Sequence, residues 1–279
     1  MFPRTGDLYS QCKKAVFLLN EIALYNISHP GKIKILFSKA PVQEENLKKG
    51  LRFTNVEFEF AEFTDERIQS NDLVVPLTIP DVKRLNEARH LVKNGKIPIP
   101  TLESINICDD KYLFYQTLKH HGFEYLLPKI DTNLPFTYIL KKKITERGVD
   151  NYIIANEETQ KKYQHFIDSP DYFCQEMVLG KKEYATHILI RDKKIVASLN
   201  IEYIFSNIIP IKGQDEIAGR NIVPSPFNDI FEDILNAIGF EGICCFNYKE
   251  VDGNPLIIEI NPRFGASLSL YFASFLRKL

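Results

Sequence analysis

The stretch Pro255-Leu-Ile-Ile-Glu-Ile-Asn-Pro-Arg-Phe-Gly265 carries the densest chemistry in the chain. Leu256 to Ile260 is apolar and β-branched, the composition of a buried strand. Glu259 interrupts that run, and a carboxylate buried without a partner is strongly unfavourable. Side chains alternate along a strand, so Glu259 and Asn261 share a face. Pro262 ends backbone pairing, and Arg263 adds a fixed positive charge. A carboxylate and an amide oxygen on one face, beside a guanidinium, suit Mg²⁺ and phosphate oxygens. The same residues also read as a strand end closed by a Glu–Arg pair.

Other elements must position this stretch. Gly242 to Lys249 reads as the preceding strand, and Asp252-Gly-Asn254 as the tight turn between the two. The hairpin sets Cys245 and Asn247 on one face, expected to be that of Glu259 and Asn261. Cys174 to Val178 reads as a strand running into a connector with a turn at Gly180, and Glu183 follows Glu176 by seven residues. Phe136 to Lys141 is another strand, leading into a short cationic loop through Lys141, Lys142, Lys143 and Arg147, in which Gly148 is the lone glycine. A solvated strand end explains such a lysine run equally well. Asp109 is expected to cap a helix that ends at Gly122, with Lys111 in its first turn.

These residues carry a resemblance. EINPRFG resembles the magnesium-binding strand of the ATP-grasp superfamily, in its carboxylate–amine ligase and carbamoyl-phosphate-synthase-like branch. Asp110-Lys111 resembles the element that opens that domain. The order Gln-Glu-x-x-x-Gly-x-x-Glu-Tyr, from Gln175 to Tyr184, resembles its hinge. The resemblance covers about residues 100–270. It implies ATP and Mg²⁺ as cofactors, with Glu259, Asn261 and Asn247 as metal ligands. It implies Lys111, Lys141 and Arg263 on the phosphates, Lys141 and Arg263 being catalytic. Gln175, Glu176, Met177 and Val178 would lie along the adenine, and Glu183 on the ribose hydroxyls. The implied partners are a small-molecule carboxylate and an amine, and a homodimer is allowed. The chain departs from the family at the glycine-poor loop, at Asn247 where relatives carry Asp, and at Ala266 where they carry Gly.

The implied fold is α+β: two α+β subdomains clasping ATP, preceded by a small α/β pre-ATP-grasp domain. The expected boundaries are 1–95 for the first domain and 96–279 for the ATP-grasp domain. Within the latter, a nucleotide-binding subdomain is expected over about 123–180 and a metal-binding one over about 181–279. The implied activity is an ADP-forming ligase that activates a carboxylate as an acyl phosphate. A catalytically weakened nucleotide-binding or regulatory protein on the same frame is the alternative, and a plain α/β interaction module is a third reading.

The remaining features set bounds. A chain of 279 residues suits two or three compact subdomains. A net charge of −1 offers nothing to nucleic acid or to a membrane surface. No apolar run approaches the ~20 residues of a membrane span, and the first residues lack the order of a signal peptide. Five cysteines without a C-x-x-C pair read as reduced thiols in a cytoplasmic protein. In the first 95 residues strand and helix alternate. A helix over 8–25 is expected to bury Val16, Leu19, Ile22 and Ala23, and one over 82–94 to start at Asp81 and close at Gly95. The segment 208–222 reads as a loop whose Lys212 and Arg220 are within reach of a substrate or γ-phosphate, although cations on surface loops are common. His187, alone on its strand, reads as structural.

Overall fold

The computed structural model describes residues 8–93, 97–145 and 149–279. Arg147, Gly148 and Gly95, named above, lie outside the described residues, as does the start of the chain through residue 7.

Among the described residues, three sheets organise the fold. The first, in the order β2-β1-β3, is parallel and built from β1 (Ile33–Phe37), β2 (Val56–Phe60) and β3 (Leu73–Val75). Parallel strands need crossovers, supplied by α2 (Pro41–Leu51) and α3 (Asp65–Ser70), after α1 (Leu8–Ser28) and before α4 (Ile79–Glu87). Ile35, Leu36 and Phe37 are fully buried, as a strand covered on both faces requires. Neither α2 nor α3 is among the expected helices. Both are short, and α2 carries its signals quietly, with Pro41 in its first turn and the pairs Glu44–Lys48 and Glu45–Lys49 along one side.

After the prolines of 98–100 come α5 (Leu102–Asp109) and α6 (Lys111–His120). A small antiparallel sheet follows, in the order β5-β4-β6, from β4 (Tyr138–Lys142), β5 (Tyr152–Ile154) and β6 (Tyr172–Glu176), with α7 (Glu157–Ile167) against it. The large sheet has the order β11-β10-β7-β8-β9. Its strands are β7 (Lys182–Arg191), β8 (Lys194–Phe205), β9 (Ile217–Val223), β10 (Gly242–Val251) and β11 (Asn254–Asn261). The amphipathic α8 (Asn228–Ala237) seals one face through Phe231, Ile234 and Leu235, and α9 (Ala273–Leu276) ends the fold.

Several local expectations are corrected. The inward stripe of α1 is Phe17, Leu18, Glu21, Ile22 and Tyr25, while Val16, Leu19 and Ala23 face out. Glu21 disguises that stripe: it is buried only because Arg277, from the far end of the chain, donates to it at 2.7 Å. The N-cap of α4 is Thr78, not Asp81, and the helix ends at Glu87. Asp110, not Asp109, caps α6, its Oδ1 accepting from the N–H groups of Tyr112 and Leu113. Part of the expected loop 208–222 is the edge strand β9.

One contact fixes how the first sheet meets the last segment. Gly50 of α2 lies so close to the backbone of 266–271 that an added Cβ would stand 2.3 Å from the Leu270 carbonyl oxygen. Backbone cannot rotate aside, so Gly50→Ala is expected to destabilise by about 1–3 kcal/mol. Urea unfolding would register this as a lower midpoint at unchanged slope. A wild-type midpoint would mean that the two segments do not touch.

Candidate active site

The small and large sheets face each other across a cavity of about 520 Å³. Ile139 and Lys141 reach it from β4, and Gln175 from β6. Glu183, Ala185 and His187 come from β7, Cys245, Asn247 and Lys249 from β10, and Glu259 and Asn261 from β11. Within each strand these residues are two apart, so alternation alone turns them to one side. The segment Glu176–Val178 lies along the wall where β6 ends, and Lys212 comes from the loop between β8 and β9.

Glu259 is the hub. Asn247 pairs with Glu259 and Cys245 with Asn261 in the hairpin register, which is the shared face expected from the sequence. Glu259 Oε1 accepts from Asn247 Nδ2 at 2.7 Å and from Asn261 Nδ2 at 3.2 Å. Its Oε2 is 3.7 Å from Lys111 Nζ. Burial opposes ionisation of Glu259, but Lys111 and Lys141 with the two amide donors outweigh it and hold its pKa at about 2. Lys111 is buried, its ammonium also donating to the Thr145 carbonyl at 2.7 Å. It is thus no solvated lysine, and it approaches the site through Glu259 rather than by lining the cavity.

Burial pushes Lys141 down to about 8; Glu259 resists that drop and Lys111 reinforces it. Of the expected cationic loop, Lys141 alone among the described lysines lines the cavity. Lys142 pairs with Asp150, and Lys143 lies over the Tyr112 ring. Arg263 lines the cavity beyond Asn261. Around the hinge, Glu176 exchanges two hydrogen bonds with the backbone of Lys129, so its carboxylate is tied to the wall. Glu183 is buried and lies 3.3 Å from Lys212 Nζ.

Two residues matter more here than their sequence context indicates. Lys249 donates to the carbonyls of Val178 at 2.7 Å and Gly180 at 3.0 Å, which pins the hinge to the large sheet. The alternation Cys245, Asn247, Lys249 was the signal for it. Lys212 donates to Asn247 Oδ1 at 2.8 Å and sits 4.2 Å above the Tyr203 ring. No sequence pattern points to it, because a loop places it. Arg220 stays exposed on β9, its guanidinium over the Tyr203 ring at 5.1 Å from the centroid.

His187 is fully buried, its Nε2 2.8 Å from Ser267 Oγ. Burial, helped by Lys212, pushes its pKa down to about 3, so it is a neutral imidazole. Gly265 packs on the ring so closely that a Cβ would lie 2.4 Å from Cε1. Burial likewise raises Cys245 to about 12, which keeps it a thiol rather than a nucleophilic thiolate. Among the described residues, the cavity therefore offers neither a basic histidine nor a reactive cysteine. Lys39, Lys141, Lys212, Lys249 and Arg263 outnumber Glu176, Glu183 and Glu259 on its wall, which suits a polyanion.

All five cysteines are free. Among the described residues no helix is long and apolar enough to cross a membrane.

The molecule resembles several known proteins. It is 26% identical over 248 residues to the carbamoyl phosphate synthase large chain of Thermotoga neapolitana, which covers 75% of this chain and 22% of that one. The chain thus spans about a fifth of the length of this relative. Its fold matches phosphoribosylamine–glycine ligase from Thermotoga maritima, with a TM-score of 0.62, 13% identity, and 85% of this chain and 71% of that one covered. It also matches D-alanine–D-alanine ligase from Bacillus anthracis, with a TM-score of 0.56, 13% identity, and 86% and 89% covered. At such identities these two likenesses concern the fold. A family model described as an ATP-grasp domain matches residues 108–267, a stretch that holds every candidate residue from Lys111 to Arg263. With the two sheets facing across a cationic cavity, that match establishes that the chain belongs to the ATP-grasp family.

Proposed function

We propose that the chain is an ATP-dependent ligase that activates a small carboxylate as an acyl phosphate for attack by an amine, releasing ADP and phosphate. The observation that carries this reading is the convergence of Lys141, Glu259, Asn261 and Arg263 with the hinge segment Glu176–Val178 on one cavity. The division into 1–95 and 96–279, with subdomains of about 123–180 and 181–279, belongs to the same proposal.

The chain's own groups do the positioning. Backbone at Glu176–Val178, pinned by Lys249, would read the adenine edge, with Gln175 behind it. Glu183 would accept from the ribose hydroxyls. Lys141 and Arg263 would hold the phosphates, and Lys111 would keep Glu259 ionised and oriented. Glu259 and Asn261 offer hard oxygen donors two residues apart, which fits one Mg²⁺ ion. When bound, that ion would neutralise charge on phosphate oxygens. Phosphoryl transfer asks of a protein mainly this alignment and charge neutralisation.

Incubating the protein with ATP, Mg²⁺ and a panel of carboxylic and amino acids tests the reading through ADP release. One or more acids are expected to stimulate release. Nucleotide binding is a separate expectation: ATP at ~100 times its dissociation constant adds about 2.7 kcal/mol, a rise of a few degrees in melting temperature. GTP is expected to give a smaller shift, since the hinge suits adenine. Equal shifts would count against the hinge roles, and no shift with either nucleotide would sink the proposal.

A further inference from the structure

Asn247 is not free to ligate a metal. Its amide oxygen already accepts from Lys212 Nζ at 2.8 Å, and its amide nitrogen donates to Glu259 Oε1 at 2.7 Å. The charges on either side fix which end of the amide points where: oxygen to the ammonium, nitrogen to the carboxylate. Lys212 is held there by more than one group. Glu183 lies 3.3 Å away, and the Tyr203 ring lies 4.2 Å below the ammonium. A carboxylate, an amide oxygen and an aromatic face around one point form a cation site, and the chain fills it with its own lysine.

We propose that the Lys212 ammonium is a built-in counter-ion that takes the place of a divalent cation at Asn247, so that bound nucleotide carries one metal ion, at Glu259 and Asn261. The inference rests on the nucleotide-dependent reading above and adds to it the metal stoichiometry of the site. The chemistry is consistent on both sides. Hard divalent ions are held more tightly as ligand charge rises, and Asn247 contributes none. An ammonium needs only the neutral oxygen, one carboxylate and the ring that it has here. It also stays on the protein when nucleotide leaves, so part of the charge neutralisation is independent of free Mg²⁺.

The test uses a non-hydrolysable ATP analogue with Mn²⁺, free Mn²⁺ being followed by electron paramagnetic resonance, and calorimetry of the analogue in EDTA. The wild-type complex is expected to hold one Mn²⁺ per bound nucleotide. The double variant Lys212→Met/Asn247→Asp, which exchanges the ammonium for a second carboxylate, is expected to hold two. In EDTA, Lys212→Met is expected to weaken analogue binding about 10-fold, or ~1.4 kcal/mol, whereas Lys212→Arg retains it. Melting curves of each variant verify folding. Two Mn²⁺ ions in the wild-type complex, or equal metal-free affinity for wild type and Lys212→Met, would overturn the inference and leave the ligase reading standing. Absence of nucleotide binding under every condition would overturn both.

Discussion

Glu259→Gln is expected to lower acid-stimulated ADP release by about 10²–10³-fold, the loss usual when a preorganised electrostatic partner is removed. The substitution keeps the size and the acceptor oxygen but deletes the one carboxylate that Lys111, Asn247 and Asn261 all address. It also removes the charge that best supports the ammonium of Lys141. Two buried lysines are then left without their shared counter-charge, so the melting temperature is expected to fall modestly as well. Nucleotide binding separates the two effects. A folded variant that still binds ATP but has lost its response to Mg²⁺ fits a metal-holding Glu259. Unchanged Mg²⁺ response with lowered stability would reduce Glu259 to a structural anchor.

Lys141→Met is expected to weaken ATP binding about 100-fold, because in the proposed site it removes the desolvated cation that would hold phosphate oxygens. Its proton supplies a second readout. Burial holds the folded-state pKa at about 8, below the lysine value in an unfolded chain. Below pH 8 both states carry the proton, and the fold bears the full penalty of a buried ammonium. Between pH 8 and the ordinary lysine range the unfolded chain binds more protons, so stability rises with pH across that window. Nucleotide affinity runs the other way, since the phosphates need the ammonium, and it is expected to fall above pH 8. At pH 8, ATP binding is therefore expected to take up about half a proton, visible in calorimetry across buffers of different ionisation enthalpy. Equal uptake by wild type and Lys141→Met would assign the proton to another group.

The β10–β11 hairpin was the most legible part of the chain. A period of two put Glu259 with Asn261 and Cys245 with Asn247, but the turn at Asp252–Gly253 alone would set Asn247 opposite Ile258; the bulge after Asn247 shifts the register by one and brings it opposite Glu259. The same alternation, carried two residues further, reaches Lys249, which the sequence reading passed over. Lys212 is a different case. Its place depends on how the loop between β8 and β9 folds back over the sheet, and loops carry no periodicity. The core face of α1 was misread because a buried Glu21 looks like a surface residue until Arg277, 256 positions away, is beside it. Helix starts at α4 and α6 were missed by a few residues at most, since Thr78, Asp81, Asp109 and Asp110 all have side chains able to cap.

The central claim is that a carboxylate oxygen attacks the γ-phosphate of ATP in this cavity. The direct measurement uses whichever acid stimulates ADP release, labelled with ¹⁸O in its carboxylate, together with an amine. ³¹P NMR of the released phosphate reads the outcome. Attack by the carboxylate, followed by displacement at the acyl carbon, leaves one ¹⁸O in each phosphate released. Unlabelled phosphate would mean that water attacks ATP directly, and release of AMP with pyrophosphate would mean adenylation; either result would contradict the account.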